Sequence, residues 1–186
     1  LVEQYSIDEA FCDMTGTELL YGDPVAFAHK LKNTISSRLG FTVNIGISSN
    51  KLLAKTASDF EKPDRVHTLF PAEMEEKFWP LPVGELLFAG RSAVKVFQNL
   101  GIKTIGDLAV PDRKLLVTHL GKHGGFLWDS ANGIDHDSVA SHEPVNKGYG
   151  NSQTIPFDVT DRGTALRFLL SLSETVSARI RADHAH

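Results

Sequence analysis

Asp8 and Glu9 are neighbours in YSIDEAF, residues 5–11, two carboxylates inside an otherwise apolar run. Adjacent carboxylates can work as an acid–base pair, hold a metal ion, or merely sit in a hydrated turn. If they hold a metal, their hard oxygens suit magnesium better than zinc, because magnesium keeps several waters and shares phosphate oxygens with a substrate. Two such ions about 3.5–4 Å apart can activate a hydroxyl and stabilise a leaving pyrophosphate, but holding both takes a third carboxylate. Asp13 is not an obvious third.

A second polar group lies in SSNKLLAKTASDFEKPD, residues 48–64, where Lys51, Lys55 and Lys62 flank one helical pattern. Three lysines on a helix read first as a solvated face. Lys62 stands apart, since Pro63 fixes the chain behind it and a lysine there can meet a triphosphate in a cleft. Further on, FAGRSAVKVFQNLGIKTIGDLA, residues 88–109, has the pattern of a helix-hairpin-helix. Gly90 permits close approach of a phosphate to the N–H groups of the following helix, and Arg91 and Lys95 add charge without reading bases. Plain helix packing is the alternative. GKHGG, residues 121–125, lacks the spacing of a phosphate-binding loop, and His119, His123, His136 and His142 are too scattered to make convincing ligands.

Composition limits these options. The 186 residues suffice for one ordinary domain or two small ones. The single cysteine, Cys12, excludes an internal disulfide and a cysteine cluster, and reads as a small core residue. No apolar run approaches the ~20 residues of a membrane span and no basic-then-apolar leader opens the chain, which reads as cytoplasmic with no membrane contact. The net charge is −4, yet residues 86–125 carry 6 Lys+Arg against 2 Asp+Glu, a local basic stretch in an acidic chain.

Elements to position these groups follow from periodicity. β-formers at 2–7 and 10–14 predict a hairpin with Asp8 and Glu9 at or near its turn, where both could reach one point in space. Asp23, Pro24 and Gly40 predict a capped helix, with Ala28, Leu31, Ile35 and Leu39 buried. Alternation predicts a strand over 42–48, then a helix capped by Ser49 or Asn50 running to about Phe60. A short strand at RVHTLF and a short helix at PAEMEEKFW complete an α/β or α+β layer. From Pro82 short helices separated by glycine take over: Ala93, Val94, Phe97 and Leu100 mark one stripe, Thr104 caps the next helix, and two helices occupy 112–119 and 121–132. The tail predicts a strand at SQTIPFDV and a helix from Asp161 with Ala165, Phe168, Leu172, Val176 and Ile180 on one face.

YSIDEAF, GISSNKLLAKTASDFEKP, LGIKTIGDLA and GKHGGFLWDSANGID follow one another here as they do in the Y-family translesion DNA polymerases, and the chain resembles their DNA polymerase IV branch over nearly all of its length. The resemblance implies an α+β chain: the later palm in residues 1–80, a small all-helical thumb with a helix-hairpin-helix in 81–136, a linker over 137–150, and the start of an α/β little finger in 151–186. It implies Asp8 and Glu9 as catalytic ligands of two Mg2+ ions and Lys62 as a contact to the incoming deoxynucleoside triphosphate. Gly90, Arg91, Ser92, Ala93, Lys95, Asn151, Ser152 and Thr154 would contact primer-template DNA, and a sliding clamp is a possible partner of the longer parent. Phe88 departs from the family pattern, standing where many members have the first glycine of the hairpin.

Both ends read as cut from something larger, and the chain alone is expected to be inactive, because the family's first metal-binding aspartate and its fingers would precede residue 1. The competing reading is a non-catalytic DNA-binding module on a degenerate palm. A nucleotide cyclase-like palm without DNA contact is a weaker third, disfavoured by the basic stretch 86–125.

Overall fold

Val2–Gln4 (β1) and Ala10–Cys12 (β2) pair antiparallel with Val2 opposite Cys12 and Gln4 opposite Ala10, so Tyr5–Glu9 form the turn between them. In this computed structural model, which describes residues 1–140 and 146–185, the turn is closed by the amides of Tyr5 and Ser6, both donating to the Glu9 carbonyl at 2.9 and 3.1 Å. A short helix that the sequence pattern does not announce follows at Glu18–Tyr21 (α1).

Pro24–Leu39 (α2) carries its punctuation as expected: Asp23 accepts from the Ala26 amide at 2.8 Å, and Gly40 ends the helix in the left-handed region at φ 77°. Of its predicted stripe, Ala28 is buried and Leu31 and Ile35 are half-buried, but Leu39 is exposed. That residue lies in the last turn, where no described element packs over it.

Ile45–Ile47 (β3) and Val66–Thr68 (β4) form a parallel pair joined through Lys51–Asp59 (α3), which Asn50 caps by accepting from the Leu53 amide at 2.9 Å. Gly46 lets the helix lie directly on the strand, since a Cβ there would sit 1.9 Å from the Ala54 carbonyl oxygen. The predicted palm layer is thus, among the described residues, two separate two-stranded sheets. No ladder joins them.

A single 3-10 turn, Pro71–Glu73, leads into Met74–Lys77 (α4), and a second, Val83–Glu85, precedes Arg91–Asn99 (α5). The hairpin at Leu86–Gly90 therefore joins a 3-10 turn, not a full α-helix, to α5. Ile105–Ala109 (α6) begins with a capping box: the Asp107 amide donates to Thr104 Oγ1 at 3.0 Å, and Asp107 Oδ2 accepts from the Thr104 and Lys103 amides. Arg113–Leu120 (α7) and Lys122–Ala131 (α8) pack against each other, joined by the bidentate pair of Arg113 and Asp129 at 2.9 and 2.7 Å. One continuous core takes Leu53 and Ala57 from α3, Leu69, Met74 and Phe78 from the next stretch, and Phe97, Ile105, Leu108, Leu116, Leu127 and Ala131 from the later helices. Residues 1–80 and 81–136 thus bury their apolar faces together.

Cys12 is exposed, contrary to its reading as a core residue. Side chains alternate along β2, so half-buried Phe11 takes the packed face while Cys12 shares the open face with Ala10.

The chain divides into two compact units, Leu1–Ser141 and His142–His186. In the second unit Arg162–Ala182 (α9) is capped by Asp161, which accepts from the Thr164 amide at 2.8 Å. Its predicted apolar residues are half-buried and none is fully buried. An extended segment is pinned to the helix end, where Asn146 and Tyr149 both donate to Asp183 Oδ2 and Arg179 donates to the Gly150 carbonyl. The strand predicted at 152–159 does not form. A strand needs a ladder partner, none of the described residues supplies one, and Pro156 removes a donor.

Candidate active site and nucleic-acid interface

The turn places Asp8 and Glu9 side by side in sequence but gives them different partners. Ser6 Oγ donates to Asp8 Oδ1 at 2.8 Å, so a residue of the same turn holds the aspartate, which is exposed. Glu9 reaches out of the turn to α3, where its Oε1 accepts from Lys55 Nζ at 2.6 Å. The same ammonium donates to Asp59 Oδ2 at 2.8 Å, and Asp59 Oδ1 accepts from Lys62 Nζ at 2.7 Å. Four charges therefore alternate in sign from the hairpin turn, through α3, to the lysine beyond it.

Burial of this network is graded. The side chain of Lys55 is 15% exposed while that of Lys62 is 58% exposed. Burial alone would pull the Lys55 ammonium down, but the Asp59 and Glu9 carboxylates that accept its hydrogen bonds hold it above its usual value. Burial would likewise raise Asp59, and the hydrogen bonds from Lys55 and Lys62 hold it below the usual carboxylate range. The reading of Lys51, Lys55 and Lys62 as one solvated face fails for the first two. Lys51 is 16% exposed, donates to both Glu3 carboxylate oxygens at 2.8 and 2.9 Å, and lies 5.1 Å from the centre of the Phe11 ring. The β1–β2 hairpin is thus tied to α3 at both ends of its charged edge, by Glu3 and by Glu9.

The segment behind Lys62 is also anchored. Lys32 on α2 donates to the Asp64 carboxylate at 2.7 Å and to its carbonyl at 3.1 Å, and Asp64 holds a left-handed φ of 62°. Asp59 and Lys32 are contributors that motif reading passes over, and Lys55 is one that it takes only for part of a solvated face. The spacing of Lys55, Asp59 and Lys62 at i, i+4 and i+7 was the available signal.

The donor chemistry of these two carboxylates, Asp8 exposed and Glu9 half-buried, suits a hard divalent cation. It supplies only part of a two-ion set. Among the described residues no group of three His, Cys, Asp or Glu side chains could hold a metal.

At the other candidate site Gly90 is the N-cap of α5 and offers no side chain to its first amides. Arg91, Ser92 and Lys95 are exposed; Ala93 is buried, so that only its backbone could meet a ligand. Phe88 is 53% exposed, with its ring 5.5 Å from that of Phe126. A cleft lined by Tyr5, Phe11, Lys51, Phe88 and Phe126 lies between the carboxylate hairpin and this loop. Asn151, Ser152 and Thr154 are exposed in the extended segment of the second unit.

A model of the impB/mucB/samB family matches residues 1–59, from the first strand through α3. DNA polymerase IV of Clostridium acetobutylicum is 43% identical over 180 residues, covering 97% of this chain and 45% of that protein. DNA polymerase IV of Acetivibrio thermocellus is 40% identical over 186 residues, with 98% and 46% covered. Among solved structures, a Y-family DNA polymerase chimera aligns with a TM-score of 0.75 at 25% identity, over 95% of this chain and 52% of its own. The chain spans just under half the length of the curated relatives it matches. Residues 1–59, which hold the carboxylate turn together with Lys55 and Asp59 of α3, match the impB/mucB/samB family, and the chain along nearly its whole length is similar to proteins named DNA polymerase IV and to a Y-family DNA polymerase structure.

Proposed function

We propose that this chain is part of a DNA-directed DNA polymerase that extends a primer 3′ end on a template, in translesion synthesis and DNA repair in the cytoplasm. The observation that carries this reading is the connected array from Glu9 through Lys55 and Asp59 to Lys62, which joins a carboxylate turn to a phosphate-ready lysine. Asp8 and Glu9 hold Mg2+, which when bound supplies charge stabilisation for phosphoryl transfer. Lys62, the most exposed member, swings from Asp59 to the triphosphate of the incoming nucleotide. The first amides of α5, released by the glycine cap, take DNA phosphates, and Arg91 and Lys95 add affinity without sequence preference. Asn151, Ser152 and Thr154 contact the DNA backbone from the second unit.

Two carboxylates do not complete a two-ion site, so residues 1–186 alone are expected to be inactive. Primer extension by the longer parent protein tests the reading. Asp8→Ala should abolish incorporation while leaving primer-template affinity intact, and Lys62→Ala should chiefly raise KM for nucleotide. A parent that binds DNA but never extends a primer would leave the non-catalytic DNA-binding module instead.

A further inference from the structure

We propose that Lys55 is a positioning residue: it fixes the Glu9 carboxylate through Oε1, leaves Oε2 available to a divalent cation, and through Asp59 ties that carboxylate to Lys62. The inference rests on the polymerase reading above and assigns a role to side chains that neither bind the cation nor touch the nucleotide.

The geometry is specific. Glu9 extends from a five-residue turn, and a glutamate side chain there has several rotamers open to it unless something holds its end. Lys55 does so at 2.6 Å from a largely buried stem, itself braced by Asp59 one helical turn on. Among the described residues no partner occupies Glu9 Oε2. A cation can therefore take that oxygen without displacing the lysine. α3 cannot drift from this place, because its backbone lies against Gly46 with no room for a Cβ between them.

Asp59 divides its two oxygens between the two lysines, with Lys55 on Oδ2 and Lys62 on Oδ1. When Lys62 leaves for a phosphate, Asp59 keeps its buried partner and remains neutralised. The resting position of Lys62 and the orientation of Glu9 thus share one brace.

Positioning and simple charge make opposite demands on the same substitution. Removing an ammonium beside a carboxylate site should tighten cation binding, whereas loss of a fixed Glu9 should slow the reaction. In the full-length parent, Mn2+ affinity measured by electron paramagnetic resonance without DNA or nucleotide should be equal or higher in Lys55→Met. Its kcat should fall at least about tenfold with KM for nucleotide little changed. Lys55→Arg, which can span the same two carboxylates, should recover most of the rate, and Lys55→Gln replaces Lys55→Met if the latter does not fold.

Two results would overturn the proposal: kcat in Lys55→Met within about threefold of the parent, or Mn2+ affinity, melting temperature and kcat falling together with no recovery in Lys55→Arg. Asp8→Ala separates this from the underlying reading. If Asp8→Ala is dead while Lys55→Met is unimpaired, only the role of Lys55 fails; if Asp8→Ala extends primers like the parent, the polymerase assignment of the turn fails too.

Discussion

Phe88 holds a left-handed backbone, φ 69°, while its ring lies 5.5 Å from that of Phe126 on α8. A residue in that region with a Cβ is strained by about 1–2 kcal/mol, and the ring contact offsets it. Replacing Phe88 by alanine removes the contact and keeps the strain, whereas glycine removes both. Urea unfolding should therefore rank Phe88→Ala below Phe88→Gly by about 1 kcal/mol. Equal destabilisation would mean that the backbone is not what the ring compensates.

Gly46→Ala should be among the most damaging small substitutions in the chain. The added methyl would lie 1.9 Å from the Ala54 carbonyl oxygen and 2.5 Å from the Ser58 amide, both backbone atoms that cannot step aside. We expect a loss of about 3 kcal/mol or more, read from the urea midpoint. A variant within experimental error of the parent would show that β3 and α3 are not in that contact in solution.

Acid should act through Asp129. The hydrogen bonds from Arg113 hold its carboxyl below the usual range, so the folded value lies under the unfolded one. The pair then adds stability above the unfolded value of about 3.9, and that stability is lost as pH falls through the lowered folded value. Arg113→Gln should reduce the urea midpoint at pH 5 and converge with the parent near pH 2. Parallel curves at both pH values would remove this pair from the acid response.

Gly90→Val separates fold from binding. Its backbone, φ −67° and ψ 167°, is open to any residue, and a Cβ there meets nothing within 4 Å. Stability should change by about 1 kcal/mol or less, while affinity of the full-length parent for duplex DNA drops because the side chain blocks phosphate from the α5 amides. Affinity should fall with salt in the unaltered protein and not depend on sequence. Undiminished binding by Gly90→Val would take the hairpin out of the DNA interface.

What the sequence made legible follows local chemistry. Asp23 and Gly40 around α2, Asn50 before α3 and Thr104 before α6 are signals complete within four residues of chain, and each cap is present. The hairpin turn at Asp8 and Glu9 is likewise a local pattern. Cys12, Leu39 and the segment 152–159 depend on what lies across from them, which periodicity does not encode, and each was misread. Lys55 illustrates the same limit at the site: its spacing to Asp59 was visible, but its pairing with Glu9, 46 residues away, arises only when the hairpin lands beside α3.

Leu53 and Ala57 of α3 share one buried cluster with Leu127 and Ala131 of α8, and this bears on how the molecule opens. Protected amides in the helix that carries Lys55 and in the helix that backs Phe88 should exchange with deuterium at rates set by a common opening event, since neither can expose its inner face without the other. Cleavage between Leu81 and Pro82 would accordingly release not two working halves but two pieces that collapse together or clump.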